Sequence, residues 1–348
     1  MFSHLDSRLK QIFSNVDTPF GGISVIVFGD LRQLRPVCDR WIFQPPSHDP
    51  YSAIFGSHLW SPFRFFELTE IMRQRDDQPF AIALNNMASG QMSSEDIVLL
   101  RGRTSVESQI PNDAIHLFSS NQDTDRYNRE KLNSIPTDQF ISEAIDSVKS
   151  AHITSEQGNR CLEQARALKT SETQGLCSSL ILKTTAKYMM TVNVDTSDGL
   201  VNGATGVLRE IGFNTSNSPN ILWIQFLDDS IGVAARSKCS HRQEASWTPV
   251  VKIIKSFQIN SNQATTIDRK QFPVVPAEAI TIHKSQGATY SKVVVHTSPS
   301  MQRAALYVAC SRATSAAGLY IIGPFVPQDP PRDRLPRKSS ENCVPLSY

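Results

Sequence analysis

Residues 21–30, GGISVIVFGD, hold an unbroken apolar run closed by Gly29 and Asp30, and no other stretch constrains the fold as tightly. A strand with one face in water alternates apolar and polar residues. A run without alternation suits a central parallel strand covered on both faces. Such a strand needs neighbours, because an open sheet holds on average about five or six strands. The first 60 residues supply one clear central strand, so the first domain is expected to be incomplete at its amino end. Ahead of the run, Leu5, Leu9, Ile12 and Phe13 recur at helical spacing and predict a short amphipathic helix.

The rest of the chain reads as α/β with an interruption. QPPSHDP is a proline-rich loop, and FRFFELTEIM begins a second strand-like unit. AIHLFSSNQDTDRYNREKL reads as strand, turn and helix, with Asn121 or Asp123 available as a cap. Residues 140–178 are mixed and polar, with LEQARALK suited to a helix. From about Leu180 to Gln271 the texture changes. LILKTTAKYMMTVNV, GATGVLREI, NILWIQFLDD and WTPVVKIIKSF are strand candidates separated by turn-rich DTSDG and GFNTSNSPN. This is a small all-β module inserted into an α/β chain. Strand, strand, helix and strand then return in AEAITIH, SKVVVHT, MQRAALYVACSRA and GLYIIG. The last residues are rich in proline and charge and are expected to be disordered.

Composition narrows the class. Of 348 residues, 40% are hydrophobic and 20% charged, which suits a globular chain with real cores. No stretch approaches the roughly 18 apolar residues of a membrane span. The opening residues show no signal-peptide block. Six scattered cysteines form no CxxC pair and have no histidine spacing suited to zinc, so no metal site is expected and a reducing compartment is. With a net charge of only +2, any nucleic-acid site must be a local groove.

Four segments place polar groups beyond strand ends, where doubly wound sheets bind ligands. In GDLRQL, Asp30 and Gln33 follow the apolar run directly. LTEIMRQ offers Arg73, a cation whose spread charge suits a phosphate. In IHKSQG, a strand end meets small polar residues and Gly287, which lets backbone amides approach a phosphate. YVACSRA leaves Arg312 near the end of a helix, where an arginine can stabilise a transferring phosphoryl group. Alone, each has an ordinary explanation: an Asx turn, a solvated arginine, a hydrophilic loop and another surface arginine.

Their order is more informative. GDxxQL, LTxxxRQ, an all-β insert, IHKSQG and YVAxSRA resemble the motif series of the Pif-type DNA helicases, the RecD-like branch of superfamily 1. GGISVIVFGDLRQLRPV, NREKL, GLVNGATGVL and PAEAITIHKSQGATYSKVVV carry the same resemblance, which covers most of residues 1–323. It implies two RecA-like P-loop NTPase-type domains, the first incomplete, with a small all-β barrel inserted in the second. The implied division is 1–60 for the first domain, 61–178 plus 272–326 for the second, 179–271 for the barrel, and 327–348 for the tail. Asp30 and Gln33 would couple nucleotide to DNA, with Gln33 as sensor near the γ-phosphate. Arg73 would contact that phosphate and Arg312 would be the arginine finger. Gln286 and Gly287 would join the nucleotide pocket to the DNA track, with His283, Lys284 and Ser285 beside the DNA.

The implied cofactors are ATP and Mg²⁺. The implied partners are single-stranded and forked duplex DNA, bound by a monomer in the nucleus or the mitochondrion. The implied activity is 5′-to-3′ unwinding. Departures from the pattern temper this. A G-x-x-x-x-G-K-[ST] phosphate loop occurs nowhere in the 348 residues, and neither does the family's Asp-Glu pair. The chain alone is therefore expected to be inactive toward ATP. The alternative is a non-enzymatic DNA-binding remnant of a Helitron-type mobile-element helicase.

Overall fold

The helical spacing at the amino end produces helix α1 (Phe2–Ile12). The structure is a computed structural model that describes residues 2–36, 41–42, 59–60, 62–149, 154–239, 244–259, 265–327 and 343–345. It divides into two compact units, Met1–Ala114 with Gln286–Tyr348, and Ile115–Ser285. The QPPSHDP loop lies outside the described residues.

In the first unit, α1 turns a different face inward from the one its apolar stripe predicts. Leu5, Ile12 and Phe13 are exposed, whereas Asp6 is buried. The Asp6 carboxylate accepts the Phe20 amide at 2.6 Å and sits 3.0 Å from the Lys10 ammonium. The Phe2 ring meets Phe20 at 5.5 Å and Phe63 at 5.4 Å between centroids, so an aromatic cluster holds the helix to the following turn.

Residues 23–28 overturn the expectation of a buried central strand. They form no strand, and Ile26 and Phe28 are 80% and 81% exposed. Among the described residues no strand pairs with them. The apolar pattern states what this segment needs, and without neighbours its backbone groups have no ladder to join. Such a run is an association site. We expect the double substitution Ile26→Lys, Phe28→Lys to raise the concentration at which light scattering detects aggregates about severalfold. An unchanged onset would assign aggregation to another surface.

FRFFELTEIM yields only β1 (Phe65–Glu67), paired in parallel with β16 (Cys343–Pro345), so the tail expected to be disordered contributes a strand. Helix α2 (Gln78–Ser89) starts at Asp77, whose carboxylate accepts the Phe80 amide at 3.2 Å and, from a distant segment, the Ala316 amide at 2.8 Å. Helix α3 (Ser94–Arg101) begins with a capping box between Ser93 and Asp96. Strands β14 (Val293–His296) and β15 (Leu319–Ile322) run parallel, joined through helix α7 (Arg303–Cys310), which buries Leu306, Val308, Ala309 and Cys310.

In the second unit, β2 (Ile115–Phe118) and β13 (Ala279–Thr281) are parallel. Helix α4 (Asn121–Ser134) is capped by Ser120, whose hydroxyl accepts the Asp123 amide at 3.1 Å, rather than by Asn121 or Asp123. Within NREKL, the Asn128 side chain mimics a neighbouring strand. It accepts the Ala279 amide at 2.7 Å and donates to the Ala279 carbonyl at 2.9 Å.

The β-rich part is antiparallel. One five-stranded sheet runs β12 (Val274–Pro276), β6 (Lys187–Met190), β7 (Thr205–Phe213), β8 (Pro219–Phe226), β9 (Thr248–Val251) over a core that includes Leu182, Tyr188, Leu208, Leu222 and Phe226. A three-stranded sheet runs β10 (Ile253–Gln258), β11 (Thr266–Gln271), β4 (Ile145–Lys149), with helix α5 (Ser155–Ala167) against it. A ribbon pairs β3 (Phe140–Glu143) with β5 (Ser179–Leu182), and the short helix α6 (Val233–Ser237) lies between β8 and β9 in the chain. Residues 140–149, mixed and polar in sequence, thus supply two strands. Gly206 in GATG is required by contact: a Cβ there would lie 2.6 Å from the Gln225 carbonyl oxygen.

Candidate functional site

The site is built in the first unit from three distant segments. In GDLRQL the Asx turn is real: Asp30 Oδ1 accepts the Arg32 amide at 2.9 Å, and the Gln33 amide reaches the Asp30 carbonyl at 3.2 Å. The turn leaves Asp30 Oδ2 available to accept the Tyr307 hydroxyl at 3.3 Å. Tyr307 stands on α7, five residues before Arg312.

Arg73 approaches the carboxyl end of the same helix. Its Nη1 donates to the Ser311 carbonyl at 3.0 Å and its Nε to Thr289 Oγ1 at 2.8 Å. Helix ends leave such carbonyls without intrahelical donors and carry partial negative charge, so a cation is welcome there. Arg312 is not the surface residue its position suggests, since it is 2% exposed. Its Nε donates to the Val308 carbonyl at 2.9 Å, Nη1 to the Ala288 carbonyl at 3.2 Å and Nη2 to Ser311 Oγ at 2.8 Å.

The electrostatics follow from this crowding. Burial, and then the charge of Arg73, push the Arg312 guanidinium down to about 10. Burial also lowers Arg73. Burial, and then the Asp30 carboxylate, raise the Tyr307 phenol. Two like charges held together are each stabilised by an anion, and a phosphate accepts hydrogen bonds from arginine in a planar, paired geometry.

IHKSQG spans the division between the units. His283 and Lys284 are exposed in the second unit, where Ser285 is 0% exposed and donates its hydroxyl to the Ile282 carbonyl at 2.8 Å. Ser285 therefore shapes the turn from inside. Gln286 and Gly287 are exposed in the first unit. Gly287 has φ +82° with open space where a Cβ would stand, a conformation that favours glycine and leaves the backbone approachable.

The structure thus brings Asp30, Arg73 and Arg312 together, whereas the side chains of Gln33 and Gln286 do not enter this network. Sequence reasoning missed Gln74, Thr289, Tyr307 and Ser311. Tyr307 and Ser311 lie inside YVACSRA and Gln74 ends LTEIMRQ, so the signal was adjacency to the arginines.

Residues 1–97 match the PIF1-like helicase family model, and residues 276–320 match that of the UvrD-like helicase C-terminal domain. The ATP-dependent DNA helicase PIF1 of Homo sapiens is 30% identical over 329 residues, covering 92% of this chain and 44% of that protein. This chain is a relative of the PIF1-like helicases. PIF1 of Candida albicans is 28% identical over 384 residues, 92% of the chain and 42% of the relative. The crystal structure of a Candida albicans Pif1 helicase matches with a TM-score of 0.65 at 26% identity, covering 93% of this chain and 69% of that one. A Bacteroides Pif1 helicase in complex with ADP-AlF3 and ssDNA matches at 0.63 and 23% identity, which speaks to the shared fold alone. The mixed α/β fold is that of Pif1 helicases. The chain spans less than half the length of the curated PIF1 relatives.

Proposed function

We propose that this chain is part of an ATP-dependent 5′-to-3′ DNA helicase of the Pif type, working as a monomer on single-stranded and forked duplex DNA in the nucleus or mitochondrion. The observation that carries the reading is the meeting of Arg73 and Arg312 at one helix end, tied through Tyr307 to Asp30. ATP, when bound, supplies the transferable phosphoryl group, and two adjacent guanidiniums fit its terminal phosphate. Arg73 would hold the ground-state oxygens. Arg312 would leave its carbonyl partners to meet the charge that grows on the equatorial oxygens. Asp30, with Gln33 in the same turn, would register the phosphate, and Gln286 and Gly287 would link that event to the DNA strand. For Mg²⁺ the fit is poor. Among the described residues no group of three His, Cys, Asp or Glu side chains could hold a metal ion, so no step here is assigned to it.

His283 and Lys284 are exposed beside Gln286 in sequence, which supports their role as contacts to the DNA backbone. Ser285 would act through the turn it braces. The chain is expected to bind a single-stranded oligonucleotide with an affinity that falls steeply with salt, by a slope of about −0.7 per neutralised phosphate. Fluorescence anisotropy across a salt series measures this. Lys284→Ala is expected to weaken binding to every sequence alike and reduce the slope by about one. Salt-independent binding, or none at low salt, would remove the DNA part of the proposal.

A further inference from the structure

Gln74 is 5% exposed, and its side-chain nitrogen is turned onto the end of α7. Nε2 donates to the Ser311 carbonyl at 3.2 Å and to the Ala313 carbonyl at 2.7 Å, the two acceptors that straddle Arg312. The backbone of Arg312 is fixed from another direction by Tyr290, whose amide donates to the Arg312 carbonyl at 3.0 Å while its own carbonyl accepts the Thr314 amide at 3.2 Å. The Gln74 carbonyl accepts the Asp77 amide at 3.0 Å, and Asp77 in turn holds the Ala316 amide. The segment carrying Arg73 is therefore bound to the segment carrying Arg312 at two places.

We infer that Gln74 is a positioning residue that makes Arg73 and Arg312 meet a phosphate as one rigid pair, an inference that rests on the nucleotide-site reading above. Charge separates its part from that of its neighbour. Arg73 also donates to Ser311, but a cation is drawn away from a carbonyl when an anion arrives. The Gln74 amide is neutral, is not drawn toward the anion and keeps its two bonds. Replacing it by an apolar side chain of the same length takes its donor from the Ala313 carbonyl, leaves the Ser311 carbonyl to Arg73 alone and frees the helix end to shift. Glutamate at this position offers no donor when ionised and repels both carbonyls.

The test is side-chain nitrogen–proton NMR on the full chain, comparing wild type with Gln74→Met. Exchange of the Arg312 Nε proton is expected to quicken about tenfold, through loss of the order that keeps it on the Val308 carbonyl. The Ile321 amide, bonded to the Arg103 carbonyl at 2.9 Å in the same unit, is expected to keep its rate. Equal quickening at both protons would mean that Gln74 only stabilises the fold, and would overturn the inference. In wild type, added inorganic pyrophosphate is expected to shift the Arg73 and Arg312 signals with one shared midpoint. In the variant the midpoints are expected to separate, and coincident midpoints there would also overturn it. If pyrophosphate shifts neither arginine in wild type, the nucleotide reading fails, while the comparison of exchange rates still decides whether Gln74 orders Arg312. Gln74→Glu at pH 8 is the second variant should Gln74→Met not fold, with the same expected signs.

Discussion

Truncating Arg269 to alanine is expected to destabilise the unit Ile115–Ser285 by about 3–5 kcal/mol, the range for breaking a buried ion pair from one side. Arg269 on β11 is fully buried and grips Asp146 on β4 with two parallel bonds, Nε at 2.8 Å and Nη2 at 2.7 Å. Nη2 also donates to the Ala165 carbonyl at 2.9 Å and Nη1 to the Leu176 carbonyl at 3.2 Å, while the guanidinium lies 5.2 Å from the Phe257 ring centroid. One side chain thus joins two strands, the end of α5 and the turn before β5. Its loss leaves a carboxylate in a dry site with no cation. The joint replacement Arg269→Met with Asp146→Leu removes both charges and is expected to lie within about 1–2 kcal/mol of wild type, since apolar substitution of a whole pair is often neutral. Urea unfolding followed by circular dichroism, with amide exchange of β11 as the local probe, measures both. A single mutant as stable as the double would show that the pair is not what holds these elements.

The second large effect concerns Arg312. Alone, the chain is expected to show no DNA-stimulated ATP hydrolysis, since its sequence holds no phosphate loop. Joined to the phosphate-loop segment of a PIF1 relative, it is expected to hydrolyse ATP, and Arg312→Ala is then expected to lower turnover by about 10³-fold or more. Arg73→Ala is expected to lower it as well, and the double mutant by less than the product, because residues acting as a unit are not additive. Turnover by the unjoined chain that Arg312→Ala abolishes would put the phosphate site elsewhere.

How much of this was legible in sequence varies with the range of the interaction. The crossover β14–α7–β15 and the hairpin β7–β8 were visible, because apolar periodicity records their burial locally. The arginines at 73 and 312 were visible only through the order of four motifs. Their convergence depends on carbonyl groups, and carbonyls leave no mark in a sequence. Gln74 was missed for that reason, and Tyr307 because its partner, the Asp30 carboxylate, lies 277 residues away in the chain. Arg269 was missed for another. It occupies an inward position of β11 between Ile267 and Gln271, so a period-2 reading finds polar residues where apolar ones belong, and its partner is 123 residues away. Residues 23–28 failed in the opposite sense: the local pattern was clear and the covering it calls for is not formed.

The uncovered run at 23–28 also bears on the history of each molecule. While it stays bare it offers a docking point to chaperones that grip extended apolar peptide. The time a molecule survives in a cell then depends on how soon that grip is relieved as well as on the free energy that holds its two units folded.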